Sequence, residues 1–167
     1  MENSDLLKKA ETLAYQYEKK YGGCAQCVLG ALKNTIGGIS DDVFKAGTGL
    51  AGGVALNGAG TCGALSGGVM ALSMYLGREY NNFADPQRVR TDSAKICKKL
   101  VDRFETEFGS GNCKDIQRRV MGRSFNLWNK QDHQDFLAAG GHEDKCPMVC
   151  GKAARWVIEI LQEGRLI

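Results

Sequence analysis

The sequence predicts an all-α, single-domain helical bundle of about six to seven helices around a buried glycine-rich central helix. Apolar residues recur at i, i+3, i+4 spacing through most of the 167-residue chain. Only two prolines interrupt that pattern. No stretch alternates apolar and polar side chains as a half-buried strand does. Residues 1–167 read as one domain, since the length supports one sizeable core and no repeat or low-complexity linker divides it.

In the first helix Leu6, Leu7, Ala10, Leu13, Ala14 and Tyr17 form the apolar face, with Lys8, Lys9, Glu11, Glu18 and Lys19 opposite. Ser4 or Asp5 can cap it, and Tyr21-Gly22-Gly23 ends it. Cys24 to Leu32 reads as a second helix, apolar nearly all round and therefore buried, ending at Gly37-Gly38. Ser40-Asp41-Asp42 starts a third through Val43, Phe44, Ala46, Leu50 and Ala51. The fourth, central helix follows Cys62 and runs to Gly77. Asp85-Pro86 opens the fifth with a cap and a first-turn proline, and Gly109 ends it. Asn112 caps a short sixth helix that begins at Cys113. A looser region, residues 122–141, holds a short helix near Asp132 to Ala139, and Cys146-Pro147 opens the last helix.

Composition narrows the function. The chain is 43% hydrophobic and 25% charged, as ordinary soluble proteins are. A net charge of +3 is too small to imply nucleic acid. The Arg118, Arg119 and Arg123 cluster lacks aromatic interleaving and reads as a solvated face. Met1-Glu2-Asn3-Ser4-Asp5 leads into an amphipathic segment rather than a signal sequence. The most apolar run, Ala64 to Leu76, is too short to span a bilayer. The expectation is a cytoplasmic protein with neither membrane nor nucleic acid as partner. Thiols stay reduced in that compartment, so seven cysteines, an odd number, point to metal or redox use. Gly47 to Gly52 spells GxGxxG, but no strand precedes it and a dinucleotide site is rejected.

The cysteines divide by position. Cys24, Cys62, Cys113 and Cys146 each stand just before a helical run, where unpaired N–H groups favour a thiolate. Cys27, Cys97 and Cys150 lie inside their helices, and Cys97 falls on an apolar stripe as a core residue.

The pattern resembles the C-GCAxxG-C-C family of redox-active proteins, found largely in anaerobes. The residues that carry the resemblance are Cys24-Ala25-Gln26 leading into Val28-Leu29, and the glycine-rich run to Cys62-Gly63-Ala64-Leu65-Ser66-Gly67. Phe108-Gly109-Ser110, Asn112-Cys113-Lys114, and Cys146-Pro147 with Val149 and Ala153-Ala154 follow. The chain departs from the family name in placing Cys62 before Gly63, and in carrying extra cysteines at 27, 97 and 150. The resemblance implies redox activity. Through a related cytochrome domain of the split-Soret type, it also implies an iron–sulfur cluster by analogy. The CxxCH needed to attach haem is absent, because Val28 follows Cys27.

The leading expectation is one iron–sulfur cluster, with two irons ahead of four, bound by Cys24, Cys62, Cys113 and Cys146. Gly60, Gly63 and Gly67 would leave space beside it, and a redox partner protein would exchange electrons with it. The alternatives are metal-free thiol–disulfide chemistry, with Cys24 attacking and Cys27 resolving or with Cys62 paired to a neighbour, and structural zinc on four cysteines. A Cys62 nucleophile is weaker still, because His133 and His142 are the only histidines and both read as surface residues. Tyr75, Tyr80 and Phe83 leave a homodimer open.

Overall fold

Eight α-helices make up most of the residues that the computed structural model describes, 3–167. They are α1 (Asn3–Tyr21), α2 (Cys24–Ile36), α3 (Asp41–Ala46) and α4 (Gly63–Tyr75), followed by α5 (Val89–Phe108), α6 (Cys113–Met121), α7 (Lys130–Ala138) and α8 (Cys146–Glu163). Among the described residues there is no strand, and the fold is all-α as expected.

Side-chain caps place several of these helices. Ser40 Oγ accepts from the Val43 N–H at 3.2 Å to open α3. Asn112 Oδ1 accepts from the Lys114 N–H at 3.0 Å to open α6. Asn129 accepts from the Asp132 N–H at 3.0 Å to open α7, a cap the sequence reading passed over.

Two boundaries differ from expectation. Helix α3 stops at Ala46 and tightens into a 3₁₀ turn, Gly47–Leu50. A Cβ at Gly47 would lie 2.8 Å from Leu29 Cδ1, so this stretch is pressed against α2. Helix α5 begins at Val89, three residues beyond Pro86. Asp85 and Arg88 both have positive φ, which turns the chain before the helix can start. Asp85 still caps from a distance, accepting from the Val89 N–H at 2.7 Å and the Arg90 N–H at 3.0 Å.

One contiguous core runs through the molecule. Helix α8 supplies Val149, Cys150, Ala153, Ala154, Val157, Ile158, Ile160 and Leu161 to it, all buried. Helix α4 shares the centre with α2 and α8, because its glycines let backbones meet. A Cβ at Gly67 would stand 2.5 Å from the Ala25 carbonyl oxygen, and one at Gly68 would stand 2.6 Å from Leu100 Cδ2. Phe104 stacks edge-on to Trp156 at 5.6 Å and closes the α5–α8 side. Outside the core, Arg155 of α8 ties to α1 through Glu11 at 3.0 Å and is braced by Glu159 of its own helix at 2.9 Å.

Some surface expectations need correcting. Trp128 is 73% exposed and lies outside the core, and its Nε1 donates to the Ala55 carbonyl at 2.9 Å. Tyr75 is tucked in, its hydroxyl donating to the Gly37 carbonyl, so of the proposed aromatic patch only Tyr80 and Phe83 stand exposed. Among the described residues no helix is long and apolar enough to cross a membrane.

Candidate redox site

Two of the thiols are delivered by one piece of backbone pairing. Thr61 and Asn112 form an isolated antiparallel bridge. Around it the Cys62 N–H donates to the Gly111 carbonyl at 2.9 Å, and the Cys113 N–H donates to the Gly60 carbonyl at 3.0 Å. The starts of α4 and α6 therefore sit side by side. Between α3 and this bridge the chain makes an unusual turn, with positive φ at Gly52, Gly53, Val54, Ala55 and Leu56 in succession. L-residues rarely sustain that hand, and the turn holds through bonds such as Leu56 N–H to Ala51 at 3.0 Å and Gly58 N–H to Gly52 at 2.8 Å. Gly52 and Leu56 bring this turn to the wall of a cavity.

Cys24 enters from the other side, at the first residue of α2, after Gly22 and Gly23 reverse the chain with left-handed backbone. Gly63 is what admits its thiol, since any Cβ there would collide with Cys24 Sγ. Cys146 begins α8 directly after a π-helical turn, Gly141–Lys145, a backbone irregularity often found at functional sites.

These four cysteines line one cavity of about 280 Å³, together with Cys150, Glu18, His133 and His142. Leu56, Val120, Met121, Leu127, Phe136 and Val149 supply much of its apolar wall. The volume is many times the roughly 10–15 Å³ that one water needs. The other two thiols are elsewhere. Cys27 faces a separate groove with Tyr17, Asn34 and Phe44, and its Sγ donates to the Gly22 carbonyl at 3.0 Å. Cys97 lies against Ser73 on α4, its Sγ 3.7 Å from the hydroxyl. All seven cysteines are free.

The glycines expected to leave room beside a cofactor do not line the cavity. Gly60 lets the left-handed turn close on it, with a Cβ there falling 2.8 Å from the Gly53 carbonyl oxygen. Gly63 and Gly67 let α4 meet the start of α2. The space they free is filled by protein.

Thiol acidity also runs against the sequence reading. Burial pushes Cys62 up to about 12, with the neighbouring Cys113 adding to it, although the Ala64 and Leu65 N–H groups pull the other way. Burial likewise pushes Cys113 up to about 12, reinforced by Cys24 and opposed by a hydrogen bond from Gln117. Cys24, Cys146 and Cys150 are driven well above the ordinary thiol value, by burial first. The helix-end effect is present but desolvation outweighs it. Gln117 is itself buried; its Nε2 points to Cys113 Sγ at 3.7 Å while its Oε1 accepts from the Phe125 N–H at 2.9 Å.

The sequence reading places two cavity residues, Glu18 and His142, on the surface and leaves a third, Cys150, open as a substitute ligand. Glu18 was assigned to the polar face of α1, yet it is only 2% exposed. The signal was there, since Ala10, Ala14 and Glu18 follow one another at i, i+4 and the two alanines are fully buried. Cys150, one turn after Cys146, is fully buried, its Sγ 3.8 Å from the Cys24 carbonyl. His142 is no free surface residue: its Nδ1 lies 3.1 Å from Glu18 Oε1 and its ring meets the edge of Phe136 at 5.2 Å.

Residues 21–160 match a family described as "Putative redox-active protein (C_GCAxxG_C_C)". The chain belongs to this family. No curated protein and no solved structure matches the chain. The matched span takes in all seven cysteines and every cavity residue except Glu18. The C_GCAxxG_C_C label thus places redox activity on a chain five of whose seven thiols gather at one cavity.

A thiolate-bound group fits the residues at that cavity. Thiols bind metal by releasing their protons, and five of them line this cavity. Glu18 Oε2 is buried with no hydrogen-bond partner, which leaves one polar atom there to be satisfied. Among the described residues no three of His, Cys, Asp and Glu are grouped so as to hold a single metal ion. The donors surround a volume rather than a point.

Proposed function

We propose that the chain is a small electron-transfer protein whose redox group is an iron–sulfur cluster in this cavity, held by Cys24, Cys62, Cys113 and Cys146. The observation that carries the reading is that four cysteines from four separate helix starts line one cavity. A cluster supplies reversible one-electron chemistry, and four thiolates bind either the two-iron or the four-iron form. The two-iron form is the one proposed. The chain's own part is to desolvate the site, to aim helix-end N–H groups at the sulfurs, and to fix Cys113 through Gln117. Its partner would be a redox protein in the reducing cytoplasm.

The geometry speaks less well for the alternatives. Cys24 and Cys27 diverge, one to the cavity and one to the groove, so this CxxC does not present two thiols to one substrate. Thiols held protonated are poor nucleophiles, which weighs against metal-free exchange. Zinc needs its ligands around one point, whereas these surround a space.

Anaerobic loading with iron and sulfide tests the reading. Stoichiometric iron and sulfide with a brown visible spectrum, lost in Cys62→Ser and kept in Cys97→Ser, is the expected result. A colourless wild-type protein, or equal cluster content in wild type and Cys62→Ser, overturns it.

A further inference from the structure

We propose that the mouth of the cavity is the docking surface for the electron-exchange partner, and that this partner is an acidic redox protein with a small apolar patch ringed by carboxylates. The inference rests on the iron–sulfur reading above and adds the partner's chemistry and the place where it binds. Tyr21, Val54, Leu56 and Trp128 are all exposed. Tyr21 and Leu56 also line the cavity, so on this face the site comes up to solvent. Trp128 joins the same surface through its hydrogen bond to Ala55, the neighbour of Leu56. Exposed apolar side chains scattered singly need no explanation, but four around one opening do. Aromatic residues anchor protein interfaces, because they bury much area while losing few rotamers.

The backbone beneath them points the same way. Val54, Ala55 and Leu56 have φ of 66°, 50° and 57° in succession, a hand that costs L-residues free energy. All three are exposed, so burial of their side chains does not offset that cost. Strain kept without a folding gain collects at functional sites. Here it holds apolar residues out at the edge of the cavity.

Charge selects the partner. Lys20 lies over the Tyr21 ring at 5.1 Å, the Lys114 stem runs along Gly58, and Lys130 follows Trp128 by two residues. None of the three forms an ion pair among the described residues. The carboxylates of this region are already engaged, Asp132 and Asp135 with Arg123, and Glu143 with Lys19. A second copy of the chain would set lysine against lysine, whereas a partner's carboxylates would meet cations that have no counterpart. The other exposed aromatics, Tyr80 and Phe83, lie beyond the far end of α4, whose 13 residues carry the chain about 20 Å from Cys62. Electron transfer weakens steeply with distance, so the opening is the productive place to dock. One electron passes there between the cluster and the partner's redox group, and no bond is made or broken.

Stopped-flow oxidation of the reduced, cluster-loaded protein tests this with two protein oxidants, the acidic copper protein plastocyanin and the basic haem protein cytochrome c. The rate constant per cluster with plastocyanin should fall about tenfold as salt rises from about 0.01 to 0.3 M, whereas that with cytochrome c should not fall. Lys130→Glu should slow plastocyanin about fivefold at low salt, and Trp128→Ser should slow it at every salt concentration. Arg90→Glu changes the net charge equally but lies in a separate concavity with Arg78 and Asp85, and should leave the rate within about twofold of wild type. Equal slowing by the two charge variants would assign the effect to net charge and overturn the proposal. A plastocyanin rate indifferent to both salt and Trp128→Ser overturns it as well. A wild-type dimer that becomes a monomer in Trp128→Ser, read by sedimentation, gives the surface to a second copy and likewise overturns it. Iron and sulfide contents separate these failures from that of the reading beneath them: a wild type that takes up neither overturns both.

Discussion

Thr61 and Asn112, 51 positions apart in sequence, pair as the single β-bridge found among the described residues, and each immediately precedes a cavity cysteine. Asn112 does two further things there. Its Oδ1 caps α6, and its Nδ2 donates to the Ala59 carbonyl at 2.5 Å. Asn112→Ala removes both bonds and should lower stability by about 2 kcal/mol, read from urea unfolding. Cluster retention should fall with it, since the mouth of the site loosens. Unchanged stability would show that the bridge backbone alone holds α4 and α6 together.

The close approach of α4 to α2 predicts an asymmetry between two glycines. Gly67→Ala must push the helices apart, because its Cβ would lie 2.5 Å from the Ala25 carbonyl oxygen, and a cost near the upper end of about 1–3 kcal/mol is expected. At Gly49 a Cβ meets nothing within 4 Å, so Gly49→Ala should be neutral or stabilising by up to about 1 kcal/mol. Thermal denaturation of the two variants compares them directly.

Stability of the metal-free protein should fall in alkali. Cys62 and Cys113 keep their protons up to about 12 in the fold, while the unfolded chain releases them near 9.0. Above pH 9 the folded state therefore binds more protons than the unfolded one, and stability declines as pH rises. The contribution is fully present below about pH 9 and is lost on the way to 12, at a slope on the order of 1 kcal/mol per pH unit for each thiol. Urea midpoints from pH 7 to 11 check the sign. Cys62→Ala should flatten the profile.

Val54 offers a stabilising change. It is β-branched, half exposed, and sits at φ 66 in the left-handed turn beside the cavity. Val54→Gly should raise stability by about 1 kcal/mol, measured calorimetrically, since little buried surface is lost. A drop in the melting temperature would mean that the stiffness of valine holds the turn.

Much of this architecture can be read from residue types alone. Ser40, Asn112 and the glycines at 37, 109 and 122 mark helix ends by chemistry that acts within a few residues, and local chemistry is what a sequence displays. The four cavity cysteines were legible for the same reason, each following a loop signal. What acts at long range was not. Glu18 looked solvated because its neighbours Lys19 and Lys20 are charged, and only the packing of α1 on α8 and the π-helical turn buries it. The rise in thiol pKa has the same origin, since desolvation depends on elements far away in the chain. The glycines at 60, 63 and 67 were read as leaving space beside a cluster, whereas backbone or thiol packs against each of them.

Four cavity cysteines at four helix starts also have a topological meaning. Cys24, Cys62, Cys113 and Cys146 are separated by 38, 51 and 33 residues, so a group bound to all of them would act as a knot tying three long loops at one place. Closing loops of that length restricts the unfolded chain heavily, as covalent cross-links do. Losing the group would release α2, α4, α6 and α8 from one another at a stroke, so for this fold the redox centre would double as a rivet.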